Sequence, residues 1–338
     1  MPVNATSADP LEHEGEVGPR VSIVVPAYNR ERYVGPTLES IRAQTFTNWE
    51  VVVFDDGSSD GTGAVAQQHA NDDDRIRVVR GTNGGVASAR NRGFAETDRR
   101  SEFVIFLDSD DIWEADALET LVDELEKHGR YVSVHGLARC IDQDGRLVPN
   151  DDLQERMQDR VAYRGRSLTP MEPHEPVDFG ALVYHNYVIT PGIHLIRRSV
   201  MEAVGEFDPD TDPADDWDLA IRICRRGIIG YTERVVLNWR RHGDTLTDTS
   251  GRWKVAYFRV RRKTLTDPSN TPEQFLLARL GYLDGTLHGL RQAWSLAWRR
   301  EFKAAARQGA RTCERIVRYV VAAGAMKLSR RSEANATA

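Results

Sequence analysis

The run VSIVVPAY (Val21 to Tyr28) is apolar at alternate and intervening positions alike and rich in β-branched residues. That is the pattern of a strand buried on both faces, as in a parallel sheet. Three more such runs follow: Glu50 to Phe54, the segment RIRVVRG, and EFVIFLD, which ends at Asp108. Between them lie stretches of helical period, one carrying Leu38 and Ile41, one running towards His69 with Asp60 as its cap, and one opened by a glycine turn in NGGVASARNRGFAET. Strands alternating with helices predict βαβ units and an α/β fold on a mostly parallel sheet. Right-handed crossovers then bring the carboxyl ends of the strands to one edge, where open α/β sheets bind ligands.

The polar residues fall where that rule needs them. Pro26, Tyr28 and Asn29 close the first strand, Asp55 and Asp56 the second, and Asp108, Asp110 and Asp111 the fourth. Carboxylates this crowded repel one another unless water or a cation lies among them. A D-x-D triplet (Asp108-Ser109-Asp110) after a strand suits Mg²⁺ or Mn²⁺, hard ions that take carboxylate oxygens together with substrate phosphates. A helix cap would use one Asp, not three. DDGSSDGT reads equally as a tight turn or as a site in which an Asp accepts the imide N–H of a pyrimidine base.

After about Tyr131 the periodicity weakens. Gln143 to Pro176 has the composition of an insertion or lid, and GALVYHNYVITPGIHLIRR suggests further mixed strands. DPDTDPADDWDL imitates a calcium loop, but Pro213 and Leu219 stand where such a loop needs Gly and Glu. It reads instead as an acidic loop leading to a helix from about Asp216, whose N-terminus favours an ionised carboxylate in the pair Asp215–Asp216. His242 sits among arginines suited to phosphate, and a neutral imidazole is a common metal ligand. From Pro272 to Leu328 the chain is nearly all helix formers, with Leu290, Trp294, Trp298 and Phe302 every fourth residue.

Composition changes the picture at the two ends. The 338 residues carry a net charge of −6, but from Gly251 onward 18 Lys or Arg face 6 Asp or Glu, so +12 there leaves −18 on the rest. The division expected is a disordered lead-in over 1–20, a catalytic domain over 21–250 (nucleotide-binding half 21–130, acceptor half 131–250), a helical region over 251–330 and a disordered tail over 331–338. Three scattered cysteines without a CxxC pair indicate neither zinc nor a disulfide framework, and no stretch reads as a signal peptide or membrane span. The expectation is a cytoplasmic protein without nucleic-acid binding. Its basic amphipathic tail either lies on the inner face of a membrane or packs on the catalytic domain or a second subunit.

As a set, VSIVVPAYN, SIRAQTFTNWEVVVFDDGSSDGT, NGGVASARNRGF, FVIFLDSDDIW, GEFDP, ADDWDLAIRI and RRHGDTLT resemble family 2 glycosyltransferases of the GT-A fold, from about Val21 to Thr247. The family usually has Glu-Asp where this chain has Asp215–Asp216. The resemblance implies a mixed, mostly parallel, Rossmann-like sheet with a C-terminal helical extension, and inverting transfer from a nucleotide-sugar, most readily a UDP-sugar. It places Pro26, Tyr28 and Asp56 on the base with Asp55 beside them. Asn29, Gly85 and Ser109 join the donor set. Asp108 and Asp110 hold ribose and metal, Asp111 shares that task, and His242 lies near the metal and diphosphate. Asp216 becomes the catalytic base, with Asp215 its nearest rival. The acceptor is left open among glycan, lipid-linked intermediate, peptide and small natural product. A nucleotidyltransferase on a similar sheet is the rival enzyme, although PAYNRERYVG lacks the Gly-rich basic loop it should carry, and a non-catalytic nucleotide-sugar-binding scaffold is the third reading.

Overall fold

The computed structural model describes residues 18–243, 252–298, 306, 309–313 and 316. Strand and helix alternate through β1 (Val21–Ala27), α1 (Val34–Arg42), β2 (Trp49–Asp55), α2 (Thr62–Asp72), β3 (Ile76–Arg80), α3 (Val86–Ala95) and β4 (Phe103–Phe106). A two-residue β5 (Ile112–Trp113), α4 (Ala117–Lys127) and the long β6 (Tyr131–Ile141) follow. Next come α5 (Leu153–Gln158), the hairpin β7 (Val161–Arg164) and β8 (Ser167–Pro170), α6 (Phe179–Tyr184), β9 (His194–Arg197), α7 (Arg198–Val204), α8 (Asp215–Cys224) and β10 (Ile228–Arg240). Helices α9 (Arg252–Thr266) and α10 (Pro272–Trp298) close the described chain.

Among the described residues, eight strands form one sheet in the order β3-β2-β1-β4-β9-β6-β10-β5. β1 pairs in parallel with β2 and β4, so Ala27 lies beside Asp55 and Val24 beside Phe106. β9 is antiparallel to both β4 and β6, and β10 runs parallel to β6. Successive side chains of a strand leave on opposite faces, and β1 shows it. Val21, Ile23 and Val25 enter a core with α1 and α4, while Val24 enters a second core on the other face with α3, α6, α8, α9 and α10. Both faces are covered, which is why β1 needs apolar residues at consecutive positions.

Three local outcomes differ from the sequence pattern. Asp60 stands one residue before the cap of α2: its carboxylate accepts from the Thr62 N–H at 3.0 Å, and Gly61 caps. GALVYHNYVITPGIHLIRR yields mostly α6 and a turn, with only β9 as a strand, because Asp178 caps a helix by accepting from the Ala181 N–H at 2.9 Å. Gln143 to Pro176 folds into α5 and the β7–β8 hairpin. Leu153 and Met157 of α5 join one core and Ala162 and Tyr163 of β7 the other.

α10 starts on a reciprocal cap: Thr271 Oγ1 accepts from the Gln274 N–H and Gln274 Oε1 from the Thr271 N–H, both at 3.1 Å, with Pro272 in the first turn. Leu277, Ala278 and Tyr282 pack into the second core, so this helix is docked on the α/β body. Phe302, the Trp298 side chain, the chain before Gly18, residues 244–251 and the tail over 331–338 lie outside the described residues.

Candidate active site

The carboxyl ends of β1, β2 and β4, the start of α3, the turn before β9, the loop before α8 and the end of β10 surround a cavity of about 510 Å³. Of the residues singled out from sequence, it is lined by Pro26, Tyr28, Asp56, Gly85, Asp108, Ser109, Asp110, Asp215 and Asp216. Tyr28 is largely exposed on its wall. Asp56 is buried and accepts from the N–H groups of Gly84 (3.0 Å) and Gly85 (2.9 Å), tying the end of β2 to the start of α3. Gly85 has φ +85°, which suits glycine alone, and a Cβ there would meet no atom within 4 Å, so its backbone faces open space.

Asn29, Asp55, Asp111 and His242 lie behind the lining. Asn29 clasps the DDGSSDGT turn, accepting from the Ser59 N–H at 2.9 Å and donating its own N–H to Ser58 Oγ at 3.0 Å. Asp55 accepts from the Ser58 N–H at 2.8 Å, and its second oxygen is buried without a hydrogen-bond partner, 3.5 Å from Arg80 Nε. Asp111 accepts from the Arg240 N–H at 2.9 Å, with its other oxygen also buried and unpartnered. Burial and the charges of Asp110 and Asp108 push its carboxyl well above the ordinary range, against the opposing Arg240 N–H. His242 stacks on Tyr33 at 4.8 Å and puts Nε2 2.9 Å from Asp110 Oδ2.

Arginines answer the crowding of the triplet. Arg30 Nε donates to Asp110 at 2.9 Å. Burial alone would raise the Asp110 carboxyl, but His242 and Arg30 hold it below the ordinary range. Arg90, buried on α3, donates to Asp108 at 2.7 Å with one nitrogen and to Asp215 at 2.6 Å with another. Burial would lower its pKa, yet these carboxylates outweigh burial and hold the guanidinium charged. One side chain thus joins the D-x-D turn to the loop carrying Asp215 and Asp216.

Asp216 is different. It makes no ion pair among the described residues, while Asp208, Asp212, Asp215 and Asp218 nearby all do. Burial, then the charge of Asp215, push its carboxyl well above the ordinary range, with Arg90 opposing. Its Oδ1 accepts from the Trp217 N–H at 2.6 Å. A cavity-facing carboxylate with raised proton affinity is equipped to take a proton.

The donor set Asp108, Asp110, Asp111 and His242 offers carboxylate oxygens and an imidazole, the chemistry Mg²⁺ and Mn²⁺ prefer, and the orphaned Asp111 oxygen is an acceptor with spare capacity. Among the described residues no three such groups converge on one point, and Arg90 and Arg30 stand on Asp108 and Asp110 instead. The residues fit such an ion in kind. Arg240, one of the arginines beside His242 read as suited to phosphate, lines the cavity; sequence patterning missed Arg30, Arg90, Thr190, Trp239 and Arg252, which line it too. Arg90 carried a readable signal: it sits three residues from both Ala87 and Gly93 on the buried side of α3, a face where an arginine needs anionic partners.

A mixed, mostly parallel sheet flanked by helices, with an acidic crevice at its strand ends, defines a GT-A-type α/β protein. A model of glycosyl transferase family 2 matches residues 22–205, and the chain belongs to that family. Chondroitin synthase of Escherichia coli is 28% identical over 226 residues, covering 67% of this chain and 29% of that protein. The putative teichuronic acid biosynthesis glycosyltransferase TuaG of Bacillus subtilis is 38% identical over 128 residues, covering 38% of this chain and 50% of that one. The match thus spans less than a third of the chondroitin synthase and half of TuaG. Among solved structures, S. aureus TarS in complex with UDP-GlcNAc superposes with TM-score 0.58 at 20% identity, over 78% of this chain and 71% of that one. The mannosyltransferase PcManGT from Pyrobaculum calidifontis, in complex with GDP-Man and Mn²⁺, gives TM-score 0.56 at 21% identity, over 92% and 87%. These likenesses show the fold.

Proposed function

We propose that this protein is an inverting glycosyltransferase that moves a sugar from a nucleotide-sugar, a UDP-sugar first among them, to an acceptor hydroxyl. The observation that carries the reading is the pairing of one unneutralised carboxylate, Asp216, with an opposite wall of charge-compensated aspartates in the same cavity. The nucleoside lies against Pro26, Tyr28, Asp56 and the open backbone at Gly85. Asp216 takes the proton of the acceptor hydroxyl as that oxygen forms its bond to the anomeric carbon. The bond to the diphosphate breaks from the opposite side, and the diphosphate leaves with the electron pair. Arg30, Arg90 and Arg240, already turned to this region, supply positive charge where the leaving group gains negative charge. Asp108 and Asp110, with Asp111 and His242 behind them, would hold Mg²⁺ or Mn²⁺, which adds to that charge stabilisation. The complexes of TarS with UDP-GlcNAc and of PcManGT with GDP-Man and Mn²⁺ support this choice of donor and metal.

A thermal-shift panel of nucleotide-sugars with and without Mn²⁺ tests the donor. A ligand at a hundred times its Kd adds about 2.7 kcal/mol to stability. UDP-sugars are expected to stabilise the protein with Mn²⁺ and less after EDTA; no shift from any nucleotide-sugar sinks the proposal. Pyrophosphate release in place of nucleoside diphosphate release would make the enzyme a nucleotidyltransferase.

For location, peripheral contact with an anionic membrane face is the reading favoured by Leu287, Leu290 and Trp294. They are exposed at spacings of three and four on α10, Trp294 by 75%, ahead of a basic C-terminal stretch. Among the described residues no helix is long and apolar enough to cross a membrane. Sedimentation with anionic vesicles at low salt tests it. Failure to bind, with a dimer in solution, would give that face to a second copy.

A further inference from the structure

The loop that carries Asp216 is gripped by one face of α9, whose first cation, Arg252, lines the cavity while Arg259 and Lys263 lie outside the lining. Lys263 Nζ bridges Asp208 at 2.6 Å and Asp218 at 2.8 Å. Arg259 donates to the Asp210 carbonyl at 3.0 Å, and Arg252 pairs with Asp212 at 2.9 Å. These three cations fall at i, i+7 and i+11, the same side of a 3.6-residue helix. Ala256, on that side between them, is 1% exposed and lets α9 approach closely. The grip continues through rings: Tyr257 packs on Trp217, the residue after Asp216, with centroids 4.7 Å apart, and its hydroxyl is pushed up to about 12 by burial.

The distribution of charge over this loop is selective. The segment from Asp208 to Asp218 contains six carboxylates and no Lys or Arg. Left alone, it would spread by repulsion or bend towards any cation, including those of the donor wall. α9 neutralises Asp208, Asp212 and Asp218, and Arg90 holds Asp215. Asp210 is exposed to water. What remains is Asp216, facing the cavity without a cation of its own. Asp218 is 3% exposed and two residues past Asp216, so fixing its carboxylate fixes the first turn of α8. Lys263 shares this duty with Arg222, which reaches Asp218 at 2.9 Å.

We infer that α9 is a positioning element for the reaction. Lys263, backed by Arg259 outside the cavity lining and by Arg252 at its edge, sets the place of Asp216 by clamping both ends of its loop. The inference rests on the reading of Asp216 as the base. It gives the helical C-terminal region a task in the chemistry besides any contact with a membrane or partner, and it makes transfer depend on a segment beyond the stretch matched by the family model.

Three measurements on the full chain test it. Hydrogen exchange without ligand should show faster exchange of amides from Asp210 to Trp217 in Lys263→Met, with β1 and β2 unchanged. UDP affinity in the presence of Mn²⁺ should stay at the parental value. UDP release from UDP-GlcNAc should fall in kcat, by up to about a hundredfold for a displacement near 1 Å, and Lys263→Arg should restore most of it. If Lys263→Met folds poorly, Arg259→Gln, on the exposed side of the clamp and outside the cavity lining, should show the same exchange and kcat changes in smaller degree. Unchanged exchange in the loop overturns the inference, as does loss of UDP affinity in step with kcat. Asp216→Asn separates the two claims. If it releases UDP at the parental rate, the base assignment fails; if it is inactive while Lys263→Met keeps parental kcat, only the role of α9 fails.

Discussion

Replacing Arg90 by Met keeps the length and apolar packing of the side chain and removes only the guanidinium. Arg90 is 5% exposed and Asp215 3% exposed, and their contact is 2.6 Å. Removing one partner of a buried ion pair costs about 3–5 kcal/mol, because the other charge is left without compensation. Asp108 is the more exposed partner and adds little to the cost. The penalty has a pH signature. Burial already raises the Asp215 carboxyl above its ordinary 3.8, with Arg90 opposing, so losing Arg90 raises it further. A carboxyl raised in the folded state destabilises the fold at pH above that raised value. The effect fades as pH falls towards the ordinary value, where folded and unfolded chains are both protonated. Urea denaturation of parent and variant at about pH 7.5 and about pH 5 should therefore give a deficit of about 3–5 kcal/mol that shrinks on acidification. The double variant Arg90→Met, Asp215→Asn should recover most of it, the coupling expected of residues in contact. A deficit below about 1 kcal/mol, the scale of an exposed pair, or one equal at both pH values, refutes the reasoning.

Asp110→Ala should abolish Mn²⁺-dependent UDP binding, at a cost in stability because Arg30 and His242 lose their shared carboxylate; calorimetry showing parental UDP–Mn²⁺ affinity in the folded variant places the ion elsewhere. His135 and His194 are buried, and burial depresses each to about 3 from an ordinary 6.5. Below about pH 6.5 the unfolded chain takes up protons these rings refuse. Stability should then fall with acidification by about 1.4 kcal/mol per pH unit for each ring. His194→Asn, which keeps a polar group near Ser133, should flatten the slope of unfolding free energy against pH by one ring's share; an unchanged slope excludes His194 as a source.

β1, β2 and β4 were legible because each is buried on both faces, which forces the continuous apolar runs from Val21, from Glu50 to Phe54 and through FVIF. β3, at the sheet edge and only partly buried, was legible from its β-branched residues. The clusters at their ends were legible because parallel topology sends those ends to one edge. Other features were set by partners far apart in sequence. β5 has only Ile112 and Trp113, and it is a strand because β10 lies beside it. Phe179–Tyr184 reads as a strand from its apolar content, yet the Asp178 cap makes it a helix. Periodicity could not foresee the ion-pair wiring either: Arg90 reaches Asp215 across 125 residues and Lys263 reaches Asp208 across 55. The D-x-D triplet showed that cations were needed, and the fold supplies arginines from α3 and from the turn after β1.

The most direct test of the site as a whole is Asp216→Asn, which preserves size and the hydrogen bond at the start of α8 but cannot take a proton. Donor affinity and transfer should be measured on the same preparation, with Asp215→Asn beside it. Nucleotide-sugar affinity should be retained while transfer falls by about 10²–10⁴, as for the loss of a general base, and Asp215→Asn should do less damage to transfer. Near-parental transfer by Asp216→Asn with an inactive Asp215→Asn would move the base one residue earlier, and full activity in both would contradict the mechanism.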